Sequence, residues 1–459
     1  MRLTLGPSGP LRGRLRMPGD KSVTHRALLL AAGAQGESRL TGVNPGGDCA
    51  ALARALRELG AVVKPIGVWP ARGQRSAPPP AGGDPPGYVV RGTGGRWHEP
   101  ARVLDLGNSG TALRLLAGAV SGSPIFCVLD GDASLRRRPM SRVTEPLSRM
   151  GARLDGPEGG SRAPLAVRGG ALRGIRHVSP TASAQVKAAV LTAGLAAQGE
   201  TWVVEPHRSR DHTERMLPHF GARLLRAEPD ATGAPAVGVA GPQRLAACGI
   251  DVPGDFSAAA FWIVAALLVP GSEIVLEEVG LNPTRTGLLA ALSRMGAAVE
   301  VEPTGELSGE PVGTIRARHG ALRATDIVAD EIPALVDEIP IWAVACAFAE
   351  GVSRLSGAVE LRAKETDRLR GTARGLAALG AEASETSDGL VIRGAGPASP
   401  GKSPLAGGRA SAAGDHRLAM AFLVAALASA RGAEVTGAGM VDTSYPGFYS
   451  CAIALASSR

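Results

Sequence analysis

LSRMGARL at residues 147–154 returns as LSRMGAAV at residues 292–299. In both copies an amphipathic helical segment ends on methionine, a Gly-Ala pair follows, and a β-like run begins. The same closure recurs at Leu59-Gly60-Ala61, Phe220-Gly221-Ala222 and Leu379-Gly380-Ala381. Glycine suits the left-handed cap that ends many helices. Five copies of one helix-to-strand junction point to a chain built by repetition, and a repeat has to be recognised before any single motif is read.

A second element interleaves with the first. Apolar helical stretches rich in Ala, Leu and Val begin near Ser22, Ser109, Ser183, Ser257, Ile332 and His416, 74 to 87 residues apart. Most lead to a Gly-containing turn and a short β-like run, such as GESRLTGV (36–43), GETWVVE (199–205) and GSEIVLEEV (271–279). Each unit therefore reads helix, strand, helix, strand. The sixth reaches Arg459 where its second helix should lie. Coincidence in an Ala/Gly-rich chain is the competing explanation, and the even placement of six helices argues against it. Residues 65–99 interrupt the first unit with a Pro/Gly-rich tract, expected as a mobile loop or extended hairpin. Residues 399–415 read as a second loop before the sixth helix.

The 459 residues suffice for two or three domains with substantial cores. No apolar run reaches bilayer-spanning length, and the start, MRLTLGPSGPLRG, lacks the apolar core of a signal peptide. The expectation is a cytoplasmic protein with no membrane partner. Five widely spaced cysteines without a CxxC pair argue against a zinc site or a disulfide framework. The net charge of +8 comes from 45 Arg against 5 Lys. It reflects a compositional bias, nucleic-acid binding or an acidic substrate. With three Tyr and seven Phe to stack on bases, and only short basic clusters, nucleic acid is the weakest of these.

Polar clusters gather at or beside the helix starts. In GDKSVTHRALLLAAG (19–33), Lys21, Ser22 and Arg26 stand near a helix N-terminus, where free N–H groups and the helix dipole favour anions. GNSGTALR (107–114) is a Gly-rich turn suited to phosphate, with Arg114 one turn inside. TASAQVKAAV (181–190) offers Ser183, Gln185 and Lys187. GDFSAAAF (254–261) opens the fourth helix, DEIPALVDEIP (330–340) sets Asp337 and Glu338 before an apolar helix, and GDHRLAM (414–420) adds His416 and Arg417. Three loops add GDASLRRRPM (131–140), RSRDHTERM (208–216) and RAKETDRLR (362–370), the last expected to start a helix with Lys364, Glu365 and Arg368 on one side. Each cluster alone also fits a plain helix cap, a solvated arginine loop or a surface ion pair. Their occurrence at equivalent places of repeated units is what favours a shared site.

With PGDKSVTHR, GNSGT, GDASLRRRP, SAQVK, RDHTE, PGD, NPTRTG, DEIP, LRAKETDRL and DHRLAM in this order over residues 17–450, the chain closely resembles the 5-enolpyruvylshikimate-3-phosphate synthases. The wording of SAQVK and RDHTE is that of the second bacterial class. The resemblance implies an α/β fold of two domains, each of three βαβαββ units around a pseudo-threefold axis. With crossings placed near Pro18 and Pro253, one domain would be 19–252 and the other 1–18 with 253–459. It implies transfer of the enolpyruvyl group of phosphoenolpyruvate to the 5-hydroxyl of shikimate 3-phosphate. It also implies that no metal or organic cofactor is needed and that the partners are these two small molecules, bound by a monomer.

By the same resemblance, Lys21 touches both substrates and acts in proton transfer. Ser22, Arg26, Ser183, Ala184, Gln185, Arg210, Asp337 and Lys364 would hold shikimate 3-phosphate, with Asp337 the base toward its hydroxyl. Gly110, Thr111, Arg138, Gln185, Arg368 and Arg417 would surround phosphoenolpyruvate, with Glu365 the acid–base partner at the protonated carbon. A lysine that some members carry near the C-terminus aligns with Thr443. Gly110 would leave room for glyphosate, a phosphonate that occupies the phosphoenolpyruvate site in this family. Two basic arrays facing one cleft are expected to repel until anions fill it. The sister UDP-N-acetylglucosamine enolpyruvyl transferases share the architecture and use a loop cysteine, which GDASLRRRP lacks. A nucleic-acid 3′-end-binding protein on a related repeat scaffold is the alternative from another class.

Overall fold

In a computed structural model, residues 1–69, 84–227, 234–399 and 402–457 are described. Their strands form six small sheets, one for each repeat. In the first, Glu37–Thr41 runs parallel to Gly249–Asp251 and antiparallel to Gly87–Arg91, which pairs with Val62–Ile66. The second and third repeat this order around Phe126–Asp130 and Gly199–Val204. In the fourth, Glu273–Gly280 lies parallel to the distant Arg12–Arg16. In the fifth, isolated parallel bridges from Arg323 and Ile327 stand in for the parallel strand. In the sixth, Arg2–Leu5 pairs antiparallel with Ala433–Thr436. The first three sheets thus draw on residues 37–251, and the last three on the two ends of the described chain.

Six buried helices stand behind the sheets: Lys21–Gly33, Gly110–Ser121, Ala184–Gly194, Phe256–Leu268, Ile339–Ala347 and His416–Ala428. Every residue of the last three is buried, as a helix apolar on all sides requires. Buried apolar side chains fall into two clusters. One spans residues 23–252, and the other joins 3–17 to 256–455. Gly118 lets two helices of the first cluster touch. A Cβ there would lie 2.3 Å from the carbonyl oxygen of Ala189.

The Gly-Ala junctions have the expected geometry. Gly60, Gly151, Gly221, Gly296 and Gly380 all have φ between +75° and +112°. At Gly151 the N–H groups of Gly151 and Ala152 reach back to the carbonyls of Ser148 and Leu147, closing the helix in the Schellman manner.

Three expectations are corrected. The fifth apolar helix does not begin near Ile332. Short helical turns at Ala329–Glu331 and Ile332–Leu335 precede it, and Ile339–Ala347 starts afresh. Pro333 and Pro340 each occupy a first helical turn, where the missing N–H costs nothing but the preceding residue is turned out of the helix. Residues 399–415 are not wholly a loop, because Gly408–Ser411 forms a strand parallel to Ala433–Thr436. RAKETDRLR does not start a helix at Lys364. The helix is Arg368–Ala378, capped by Asp367. The expected tract 65–99 overlaps a hairpin, Val62–Ile66 with Gly87–Arg91, and its residues 70–83 lie outside the described residues. The sixth unit ends in the expected helix, Phe448–Ser457. No described helix is long and apolar enough to cross a membrane.

Candidate active site

The sequence Pro-Gly-Asp occurs at residues 18–20 and again at 253–255, where the chain passes between the two cores. The two passages lie side by side. The N–H of Asp20 donates to the carbonyl of Pro253 at 2.8 Å, and that of Asp255 to Pro18 at 2.9 Å. Gly19 is required here, since a Cβ would collide with the backbone of Gly42. Asp20 then caps Lys21–Gly33 and Asp255 caps Phe256–Leu268. Buried Arg285 bridges both caps, pairing with Asp20 and donating to Asp255 at 3.1 Å and Ser257 Oγ at 2.7 Å. One helix from each core therefore begins at the same point.

A cavity of about 520 Å³ opens there, between the two cores. Apart from Arg26, every residue expected at the site lines it. Lys21 Nζ pairs with Asp48 at 3.1 Å. On one wall Ser109 caps Gly110–Ser121. Arg138 donates to Asn108 Oδ1 at 2.5 Å. Gln185 donates to Thr111 Oγ1 at 2.8 Å and accepts from Arg114 at 2.6 Å, so Arg114 fixes its amide. Ser183 caps Ala184–Gly194 beside it, and Ser22 and Ala184 complete this wall. Arg26 is set back and buried, donating to Thr213 Oγ1 at 2.7 Å and to the carbonyls of Ser22 and Ala184.

The facing wall centres on two carboxylates. Asp337 accepts from Arg210 at 2.8 Å and Arg368 at 3.3 Å, and pairs with Arg417 at 3.2 Å. Burial alone would raise its pKa, but Arg417, Arg210, Arg368 and Lys364 outweigh burial and hold it well below the usual range. Glu365 accepts from Arg368 at 2.5 Å. Burial would raise it too, but Arg368, Arg138, His416 and Lys21 keep it well below its ordinary value. Lys364 pairs with Glu360 at 2.8 Å rather than joining Arg368. Arg368 itself is anchored by Asp415 at 2.8 Å.

The expected repulsion across the cleft is not what the structure shows. Arginines of one wall face carboxylates of the other: Arg210 to Asp337, Arg138 to Glu365 at 3.6 Å, and Arg142 to Glu360 at 3.7 Å. A hairpin from the far core, Ala298–Leu307 with Glu310–Arg318, adds buried Glu310, which meets buried His212 at 2.7 Å.

Reading the sequence missed several groups that shape the cavity. Asp48 gave no signal, being a single polar residue in ordinary company, and Asn108 was visible only as part of the GNSGT turn, with no role of its own. Glu338 is buried and accepts from Ser257. Burial, with Asp337 beside it, pushes its pKa up against the opposing pull of Arg210. Its signal was the acidic pair before an apolar helix. His25 Nδ1 donates to the Lys21 carbonyl at 2.7 Å, which leaves Nε2 to accept from the Ser109 hydroxyl at 3.0 Å, tying the lysine loop to the GNSGT turn. Its place one turn inside the helix after Lys21 was visible.

The EPSP synthase (3-phosphoshikimate 1-carboxyvinyltransferase) family model matches residues 5–80 and 85–451. The 3-phosphoshikimate 1-carboxyvinyltransferase of Thermus thermophilus is 50% identical over 450 residues, 97% of this chain and 96% of that one. That of Gloeobacter violaceus is 49% identical over 448 residues, 97% of each. The solved EPSP synthase of Acinetobacter baumannii superposes with a TM-score of 0.82 at 37% identity, covering 99% of this chain and 98% of its own. The enolpyruvyl transferase NikO of Streptomyces tendae shares the fold, with a TM-score of 0.73 at 19% identity over 99% and 96%. The chain belongs to the EPSP synthase family, with that family's two-domain enolpyruvyl transferase fold.

Proposed function

We propose that this protein transfers the enolpyruvyl group of phosphoenolpyruvate to the 5-hydroxyl of shikimate 3-phosphate and releases phosphate. The observation that carries the reading is one open cleft in which Lys21, Asp337 and Glu365 meet Arg138, Arg210, Arg368 and Arg417. Asp337 takes the proton of the 5-hydroxyl as its oxygen attacks C2 of phosphoenolpyruvate, while C3 gains a proton from Lys21 and the ionised Glu365 stands ready to take the proton that C3 later gives up. The tetrahedral intermediate then loses a proton from C3 and expels phosphate, which restores the double bond. Arg138, Arg368 and Arg417, with the turn at Gly110 and Thr111, bind the phosphate and carboxylate of phosphoenolpyruvate. Ser22, Ser183, Ala184, Arg210 and Lys364 hold the other substrate, and Gln185, tied to Arg114 and Thr111, reaches both. Guanidinium forks suit both anions.

Two domains would close over the pair, 19–252 and 1–18 with 253–459. The division is supported by the two apolar clusters and by the paired Pro-Gly-Asp crossings. Both walls come from one chain, which supports a monomer. The cavity arginines are paired with carboxylates, which suits small trianions better than a nucleic-acid backbone. Both substrates are ionised and cannot cross a bilayer unaided, which supports work in the cytoplasm. A UDP-N-acetylglucosamine-type loop thiol has no counterpart. Cys127 is buried in the strand Phe126–Asp130, and its thiol is pushed up to about 12 by burial and by Glu99. A coupled phosphate-release assay decides. Release with phosphoenolpyruvate and shikimate 3-phosphate, and none with UDP-N-acetylglucosamine, is expected, and the reverse pattern refutes the proposal.

A further inference from the structure

We infer that Glu205, clamped by Lys187, is a positioning residue that sets the shikimate-phosphate wall of the cleft; this rests on the function proposed above. Glu205 stands directly after the strand Gly199–Val204, out of reach of a ligand. Its Oε1 accepts the N–H of Ser183 at 2.9 Å, and its Oε2 accepts the N–H of Ser209 at 3.4 Å. Ser183 caps the helix that carries Ala184 and Gln185, and Ser209 precedes Arg210. One carboxylate thus fixes two loops whose next residues face the cavity. Neither N–H belongs to a helix or strand ladder, so without Glu205 both would lose a buried partner.

Lys187 holds the carboxylate in place. Its Nζ lies 2.8 Å from Glu205 Oε2 and 2.7 Å from Glu214 Oε1, and it donates to the Ser209 carbonyl at 3.4 Å. Lys187 and Glu205 side chains are 3% and 4% exposed. Burial would lower the lysine, but Glu214 and Glu205 hold it above its ordinary value, so it stays charged. A single ammonium pointing three donors at separate acceptors does what a planar guanidinium fork cannot, which accounts for a lysine here in a chain with 45 Arg and 5 Lys. Arg26 closes the network from behind through Thr213 and Ala184. Gln185 is held independently, by Arg114 and Thr111, so the phosphoenolpyruvate side does not depend on Glu205.

That asymmetry provides the test. Glu205→Gln puts an amide donor where an acceptor is needed and removes the charge facing Lys187. The KM for shikimate 3-phosphate is expected to rise about tenfold or more, with the KM for phosphoenolpyruvate within about twofold of the parent. Val239→Ala, which thins the core beneath the same helix, serves as a destabilised control and should lower Tm while leaving both KM values in place. Equal changes in both KM values for Glu205→Gln, or none, would overturn the inference. Hydrogen exchange on the parent protein covers the case in which the variant does not fold. The Ser183 and Ser209 amides should exchange slowly although they border the cleft, and exchange as fast as in an unstructured loop would overturn it equally. A parent enzyme that releases no phosphate refutes the proposed function and not the grip, which the exchange measurement reads directly.

Discussion

Replacing Asp337 by Asn separates binding from chemistry with a sign that is specific to this site. The carboxylate is engaged by Arg210, Arg368 and Arg417 at 2.8 to 3.3 Å, the same guanidinium groups proposed to hold the substrates' anions. At an effective dielectric of about 20, a charge pair 4 Å apart is worth about 4 kcal/mol. Removing the charge therefore frees three cations without emptying the space. Affinity for shikimate 3-phosphate should hold or tighten. Turnover should fall about 10²–10⁴-fold, about 3–5 kcal/mol in the barrier, because the hydroxyl loses its base. The side chain's depressed pKa strengthens the point. While three arginines face it, Asp337 is a weak base, and it becomes a useful one only when bound anions share those arginines. Calorimetric titration of shikimate 3-phosphate and a phosphate-release assay on the same preparation give both numbers. A kcat near the parent's would refute the assignment of the base. Affinity falling in step with kcat would show that Asp337 holds substrate rather than competing for the arginines.

Gly110→Ala would set a methyl 3.0 Å from Nη1 of both Arg114 and Arg138, so both guanidinium groups must yield by a few tenths of an ångström. Partial loss of one charged hydrogen bond, about 1 kcal/mol, should weaken phosphoenolpyruvate severalfold. The longer glyphosate should be weakened far more, and equal loss for both, read from steady-state inhibition, would refute the steric argument. Burial holds His25 at about 4, against an ordinary value of 6.5. The unfolded chain therefore takes up a proton below 6.5 that the folded one refuses. Stability present above pH 6.5 should fall toward pH 4, by about 3 kcal/mol from this residue. His416, also held well below its ordinary value, adds to the same decline, so His25→Asn should flatten the Tm–pH curve only in part, and an unchanged slope would contradict the assignment. Gly118→Ala drives a Cβ into the backbone of Ala189 and should cost about 1–3 kcal/mol, seen as a lower Tm. Because these two helices carry Gly110 and Ala184 at their starts, both KM values should rise as well, and an unmoved Tm would mean that the helices can separate freely.

What could be read from the sequence was what local chemistry fixes. Gly60, Gly151, Gly221, Gly296 and Gly380 mark helix ends because a left-handed residue leaves a compositional trace. The six buried helices were visible as apolar stretches. The sheets were not. Gly249–Asp251 joins Glu37–Thr41 from about two hundred residues away, and Leu104–Asp105 is a strand of two residues; neither has a pattern of its own. Pro333 and Pro340 broke the fifth helix at a place where the apolar run suggested continuity. At the site, residues inside contiguous motifs were recognisable and those acting through space were not. Nothing near Asp337 in the chain shows that Arg210 will face it. Glu205 left one trace, a carboxylate closing the apolar run Val203-Val204, which marks a buried charge in need of a cation.

The charge arrangement explains why a cleft built to receive two anionic substrates contains carboxylates at all. A cavity lined only with arginines would repel itself, and with its walls apart would bind phosphate anywhere. Asp337 and Glu365 give each guanidinium a defined partner and direction, so Arg368, 1% exposed and held by Asp415, Glu365 and Asp337 together, is aimed before any ligand arrives. Preorganised donors of this kind lose little by reorganising during the reaction. The same carboxylates are the groups proposed to move protons, and their basicity is suppressed until substrate anions compete for the arginines. Orientation of the cations and restraint of the bases are thus one interaction seen from its two sides. Two substitutions should therefore report on each other: neutralising Arg368 ought to raise the pKa of both Asp337 and Glu365, whereas neutralising Arg26, which lies behind the wall, ought to leave them nearly in place.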